Sequence, residues 1–241
     1  MSETLWLVVP AAGQGKRMGA DRPKQYLSLD GQPILAHTLA RLAQAFPEAH
    51  LVLCLDRDDS WFDPHSVPFK RWQRVDGGQE RMHSVLNALR AIPARADDIV
   101  MVHDVARPCI TQQDLLALHA AIQRHSAGAL LAMPVADTMK RDRGDQCSLR
   151  TEPRDGLWHA LTPQGFRYAL LLRALEHAEQ HGTLVTDEAS AVEALGEAPR
   201  LVSGRRDNLK VTHPGDLALA GAILHNQQAA ASMADNGNRS A

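Results

Sequence analysis

Short apolar runs alternate with helical periods along the first half of this chain, and that alternation limits the fold more than any other feature. Leu5–Val9 is apolar on both faces, as a strand inside a parallel sheet must be. Pro33 stands where a helix would begin, and Ile34, Leu35, Leu39 and Leu42 recur at helical spacing. His50–Leu55 reads as a second strand, Trp72–Val75 as a short third, Asp98–Val102 as a fourth and Gly128–Val135 as a fifth. The stretch "DGGQERMHSVLNALRAI" is a glycine turn running into a helix with Val85, Leu86 and Leu89 on its apolar side. Thr111 caps another helix that reaches about His125. Strands alternating with helices mean βαβ units and a mostly parallel α/β sheet. Ligands bind such sheets beyond the carboxyl ends of the strands. Here those ends carry Gly13, Gly15, Gly77, Gly78 and Asp104, so one crevice is expected there.

The alternation breaks at Asp137–His159, which is polar and holds a Gly144-Asp145 turn. It reads as a projecting hairpin arm with few core contacts of its own, and a second subunit is the simplest thing for it to dock on. Pro163–His181 is expected to be helical, and Thr186 to cap the helix of "TDEASAVEAL". Asp187 and Glu188 then fall in that helix's first turn, where the macrodipole favours them and where they also stand to orient Arg or Lys side chains. Arg200–Val202 reads as a strand and Pro214 to about Ala231 as the last helix. The expectation is a single domain over 1–231, the arm at about 137–159, and a disordered tail over 232–241.

A net charge of −2 speaks against nucleic acid as a partner, so any cationic site is local. The three cysteines, Cys54, Cys109 and Cys147, are widely spaced without a CxxC, which suits a reducing compartment. No run has membrane-spanning length, and no secretory signal is read at the start. A cytoplasmic protein without a membrane partner is expected.

The loop after the first strand, "PAAGQGKRMGADRPKQYL", carries Lys16, Arg17, Arg22 and Lys24. Its glycines allow positive φ and close approach of the backbone to a ligand, and successive N–H groups there form an anion nest. A Walker A motif fails, because Gly15-Lys16 is followed by Arg17 and Pro10 stands five before Gly15. The dinucleotide fingerprint fails because its third glycine would fall at Met18. A nucleotidyltransferase loop, with cations on the phosphates of a nucleoside triphosphate, fits the composition better. A glycine turn with solvated cations remains the plain alternative.

Taken in order, "PAAGQGKRMGADRPKQYL", "GGQERMHSV", "HDVARPCI", "DTMKR", "GLWHALTPQGF", "TDEASAVE" and "DNLKVTHPGDLALA" resemble the 2-C-methyl-D-erythritol 4-phosphate cytidylyltransferase family over all but the tail. The resemblance implies a Rossmann-like fold, a homodimer with interlocked arms, and Mg²⁺-dependent transfer of the cytidylyl group of CTP to the methylerythritol phosphate. By position it implies that Arg17 and Lys24 stabilise the transition state. Pro10, Ala11, Ala12, Gly13 and Gly15 surround cytosine and phosphate, and Gly78, Gln79 and Ser84 meet the base and ribose. Asp104, Arg107, Thr138, Arg154, Thr162 and Lys210 hold the substrate, with Thr138 and Arg154 reaching the other subunit's site. Asp104 is the first metal candidate and Asp207 a second that equally suits capping a turn. Gln79 stands where some members carry Asp.

The twelve histidines show neither HExxH nor a pairing with cysteine at zinc spacing, and read as surface or structural residues. Three other functions remain to be separated by experiment: a cytidylyltransferase for another polyol phosphate such as ribitol 5-phosphate, an idle nucleotide-binding module, and a nicotinamide dehydrogenase.

Overall fold

The computed structural model describes residues 3–13, 18–183 and 185–238. In chain order the elements are β1 (Leu5–Pro10), β2 (Ser28–Leu29), β3 (Gln32–Pro33), α1 (Ile34–Ala45), β4 (His50–Leu55), β5 (Trp72–Asp76), α2 (Arg81–Ala91), β6 (Ile99–Val102) and α3 (Gln112–Arg124). They continue with β7 (Ala129–Pro134), β8 (Met139–Asp142), β9 (Ser148–Glu152), β10 (Trp158–Arg167), α4 (Tyr168–His181), α5 (Glu188–Glu193), β11 (Arg200–Ser203) and α6 (Pro214–Asn238). The central sheet has seven strands in the order β11-β7-β10-β6-β1-β4-β5. β10 runs antiparallel to β6 and β7, and the other pairings are parallel.

The period of two along each strand sends alternate side chains to opposite faces. Leu7 and Val9 pack with Leu39 and Leu42 of α1 and with Leu115, Leu118 and Ile122 of α3. Trp6 and Val8 point the other way, onto Val85 and Leu89 of α2 and Leu171 and Leu175 of α4. A third cluster joins Ile34 and Cys109 to Val211, Ala220 and Leu224, and seats α6. The expected strands and the first three helices form where the periodicity placed them. Thr111 caps α3 by accepting from Asp114 N.

Three boundaries differ from expectation. Pro163–Arg167 is strand, and the helix begins only at Tyr168. The strand wins because Gln164 and Phe166 fill a buried slot between β6 and β7. Gly165 also lets α3 lie close, since a Cβ there would meet Ile122 Cδ1 at 2.2 Å. The cap of α5 is Asp187, not Thr186, because its carboxylate accepts from Ser190 N at 2.9 Å while the Ser190 hydroxyl returns to the Asp187 backbone. The last helix runs to Asn238, so 232–238 is helical where a disordered tail was expected, and 239–241 lie outside the described residues. The arm is a separate hairpin of β8 and β9, with Gly144 at φ +108° in its turn.

Asp98 pins the amino end of β6 to the start of β1. It accepts from Thr4 N at 3.0 Å, Arg95 N at 2.9 Å and Arg95 Nη2 at 2.8 Å. Burial opposes its charge, but these donors outweigh burial and hold its pKa at about 2. A depressed carboxylate contributes stability that is present above its ordinary pKa and lost as pH falls through the folded value. Asp98→Asn is therefore expected to lower unfolding free energy at pH 7 by about 2 kcal/mol. The gap between variant and parent should close between about pH 4 and 2 in urea melts. A constant gap across that window would assign the loss to something other than the charge.

Candidate active site

A crevice of about 190 Å³ opens at the carboxyl ends of β1, β5 and β6. Pro10, Ala11, Ala12 and Gly13 form one wall, where β1 ends. Gln25, 2% exposed, anchors that wall by donating Nε2 to Ala11 O at 2.7 Å. Gly78, Gln79 and Ser84 form the facing wall at the entry to α2, and Lys24, Asp104 and Lys210 complete the lining. Two glycines make the walls meet. A Cβ on Gly77 would stand 2.2 Å from Ala12 Cβ, and one on Gly78 would stand 2.3 Å from His83 Cβ. Ser84 Oγ shapes this turn by accepting from Gly78 N at 3.0 Å and donating to Glu80 O at 3.3 Å.

The loop cations divide. Lys24 lines the crevice and donates Nζ to Val211 O at 3.3 Å. Arg22 instead pairs with Asp21 at 3.0 Å and lies 4.8 Å over the Trp61 ring. Gly15, Lys16 and Arg17 lie outside the described residues.

Asp104 is the electrostatic centre. Its Oδ1 accepts from Arg81 Nε at 2.9 Å, and its Oδ2 meets Lys210 Nζ at 2.7 Å and Arg107 Nε at 3.8 Å. Burial opposes ionisation, but the charges of Arg81 and Lys210 outweigh it and hold the carboxyl well below the usual carboxylate range. Arg107 is itself buried and donates Nη1 to Asn208 O at 2.6 Å, which ties Asp104 to the segment that carries Lys210. Burial pushes its pKa down despite Asp104.

Thr162 reaches this centre from β10, where the register shift between Ala160 and Gln164 turns the strand. His103 is fully buried, and burial pushes its pKa down to about 4, so it is neutral near pH 7. Its Nε2 lies 3.2 Å from Arg107 O, an acceptor only, so Nε2 carries the proton and Nδ1 accepts from the Thr162 hydroxyl at 3.1 Å. Thr162 Oγ1 in turn accepts from Asp104 N at 3.1 Å. Thr162 thus fixes the Asp104 backbone rather than lining the crevice.

The remaining predicted residues lie elsewhere. Asp207 pairs with Arg205 at 2.6 Å, accepts from Gln227 and does not line the crevice. Thr138 and Arg154 sit on the exposed arm, with Arg154 bonded to Ala136 O. Sequence reasoning missed Gln25, Glu80 and Arg81 as lining residues. Arg81 is the costly omission, and "GGQER" offered its signal, a cation at the first turn of the helix behind the glycines. Among the described residues no three His, Cys, Asp or Glu side chains gather as a metal cluster.

The fold is an open, mostly parallel α/β sheet with its crevice beyond the carboxyl ends of the strands, where such sheets bind ligands. A family model described as 2-C-methyl-D-erythritol 4-phosphate cytidylyltransferase (IspD) matches residues 5–226. The chain belongs to that family. It is 61% identical over 222 residues to the cytidylyltransferase of that name from Chromohalobacter salexigens, covering 91% of this chain and 89% of that protein. The Shewanella amazonensis protein of the same name is 50% identical over 228 residues, covering 94% and 96%. A crystal structure of 4-diphosphocytidyl-2C-methyl-D-erythritol synthase superimposes with a TM-score of 0.81 at 34% identity, over 93% of this chain and 99% of that one. The Francisella tularensis cytidylyltransferase structure gives 0.80 at 31% identity, over 92% and 100%.

Proposed function

We infer that the chain transfers the cytidylyl group from CTP to 2-C-methyl-D-erythritol 4-phosphate, giving 4-diphosphocytidyl-2-C-methyl-D-erythritol and pyrophosphate, a step toward isoprenoid precursors. The observation that carries this reading is the 61% identity to a protein of that name over nearly the whole length of both chains. The crevice supports it, with glycine walls for a base and phosphates and with Lys24, Lys210 and Asp104 at its floor.

A phosphate oxygen of the acceptor attacks the α-phosphorus of CTP. One P–O bond forms, and the bond to pyrophosphate breaks. The nucleophile is already anionic, so no side chain must remove a proton. The chain's task is to hold anions together and to stabilise charge on the leaving group. Lys24 serves the phosphates from one wall, and the family resemblance gives Arg17 the same role. Asp104 and Lys210 hold the acceptor, and Arg107, which does not line the crevice, supports them through Asn208. Asp104 also fits Mg²⁺, since it is an oxygen donor kept ionised inside the crevice, and Mg²⁺ needs only one or two carboxylates besides substrate phosphates. Asp207, engaged with Arg205, offers less. When bound, Mg²⁺ would neutralise charge on the triphosphate.

The arm is proposed to dock on a second copy, which would bring Thr138 and Arg154 to the partner's crevice. Leu149 on the arm is 53% exposed in the single chain, as such docking requires. A reducing cytoplasmic setting is proposed from the three cysteines, all free. Among the described residues no helix is long and apolar enough to cross a membrane.

Pyrophosphate release tests the reaction, with CTP against ATP, GTP and UTP, methylerythritol phosphate against ribitol 5-phosphate, and Mg²⁺ against a chelator. Release is expected only with CTP, the methylerythritol compound and Mg²⁺. Release with ribitol 5-phosphate alone would keep the mechanism and change the substrate. Arg154→Lys replaces a planar fork with a point charge, and is expected to raise the KM for methylerythritol phosphate about tenfold and that for CTP far less. An equal rise in both would remove Arg154 from the acceptor's phosphate.

A further inference from the structure

Glu188 lies in the first turn of α5, is 1% exposed, and does not line the crevice. The helix does not need it as a cap, because Asp187 and Ser190 make the capping box and Gln164 Nε2 holds Asp187 at 2.8 Å. A carboxylate buried this deeply is costly unless it is paired. Its two oxygens accept from Arg81 Nη1 at 2.6 Å and Nη2 at 3.0 Å. Both terminal nitrogens of Arg81 are thereby engaged, and the arginine meets Asp104 through Nε.

We propose that Glu188 is a positioning residue for the acceptor substrate: its bidentate hold on Arg81 keeps the guanidinium fork from closing on Asp104, and so leaves acceptor sites on Asp104 open to a substrate hydroxyl. The proposal rests on the reading of Asp104 as a substrate contact. An ionised carboxylate has about four acceptor sites. In Asp104 one oxygen takes Arg81 Nε and the other takes Lys210 Nζ, while Arg107 Nε stays 3.8 Å away, beyond hydrogen-bond range, so about two of the four sites carry no donor among the described residues. An arginine without a competing carboxylate prefers two parallel N–H bonds to one carboxylate. Released by Glu188, Arg81 would turn its fork onto Asp104 and fill the sites the substrate uses.

Steady-state kinetics of Glu188→Gln test this. Glutamine matches the shape of Glu188 and keeps an amide oxygen toward Arg81, so the fold should survive, and circular dichroism checks that it does. The KM for methylerythritol phosphate is expected to rise about tenfold, the range for losing a hydrogen bond to a charged group, with the CTP KM changing by less than about threefold. In an Arg81→Lys background, where no fork exists, Glu188→Gln should add less than about twofold. An unchanged acceptor KM in folded Glu188→Gln would overturn the proposal. So would an equal rise in both KM values, or a full additional effect in the lysine background. Asp104→Asn separates the two layers of the argument. If it leaves the acceptor KM unchanged, the reading of Asp104 fails and the proposal with it. If it raises that KM while Glu188→Gln does not, only the positioning role fails.

Discussion

Lys24→Ala is expected to lower kcat by about 10²–10³, the effect of removing one preorganised donor from a developing anion, or roughly 3–4 kcal/mol of barrier. The loop gives the side chain a fixed base. Pro23, at φ −59° and ψ 139°, is itself extended, and the short 3-10 turn Lys24–Tyr26 follows at once. Gln25 then ties that turn to Ala11 O. The ammonium donates to Val211 O, beside the segment that carries Lys210. A cation held this way needs little reorganisation as the pyrophosphate leaves. Single-turnover kinetics at saturating CTP would show the loss in the chemical step, with a melting temperature near that of the parent. Arg17→Ala is expected to behave alike on the sequence reading. Near-normal turnover in both variants would remove the loop cations from catalysis.

Arg81→Met is expected to destabilise the fold by about 3–5 kcal/mol, the cost of leaving a buried carboxylate unpaired. Asp104 would keep Lys210 at 2.7 Å, so most of the loss falls on Glu188, which is 1% exposed and bonded twice to Arg81. Adding Glu188→Leu should recover much of the stability, because an apolar pair of similar volume replaces a buried ion pair at little cost. Urea unfolding midpoints measure both effects, with an unchanged slope showing that the unfolding transition is the same. A loss under about 1 kcal/mol in the single variant would mean that the ion pair is effectively solvated.

The two sides of the molecule were unequally legible in the sequence. The β1, β4, β5, β6 side announces itself, because each strand is a short apolar run and each following helix keeps one apolar stripe. The strand ends pointed to one crevice at Gly13, Gly15, Gly77, Gly78 and Asp104; Gly13, Gly78 and Asp104 line it, Gly77 packs against Ala12 in its wall, and Gly15 lies outside the described residues. β10 was hidden because "TPQGF" carries a proline and a glycine, both unfavourable inside strands. Only its burial between β6 and β7 reverses that local preference. Arg81 was hidden for another reason. A charge in a helix's first turn looks solvated until the chain brings Glu188, 107 residues later, within 2.6 Å of it. The cap of α5 moved by one residue, from Thr186 to Asp187, and such shifts lie below what a pattern of hydroxyls and carboxylates can resolve.

The position of β10 has a consequence for the order of assembly. Its two neighbours, β6 and β7, both precede it in the chain, yet it lies between them rather than at an edge. A chain leaving the ribosome can pair β1 with β4 and β6 early, but the slot beside β6 stays open until residue 167 has emerged. Thr162 and Glu188 arrive with and after that strand, and they fix the Asp104 backbone and the Arg81 fork. Nascent chains that end before them would carry the glycine walls of the crevice but lack the fixed Asp104 and Arg81. These non-local contacts come at the slow end of folding. The crevice is therefore completed late in synthesis, when nearly the whole domain is available.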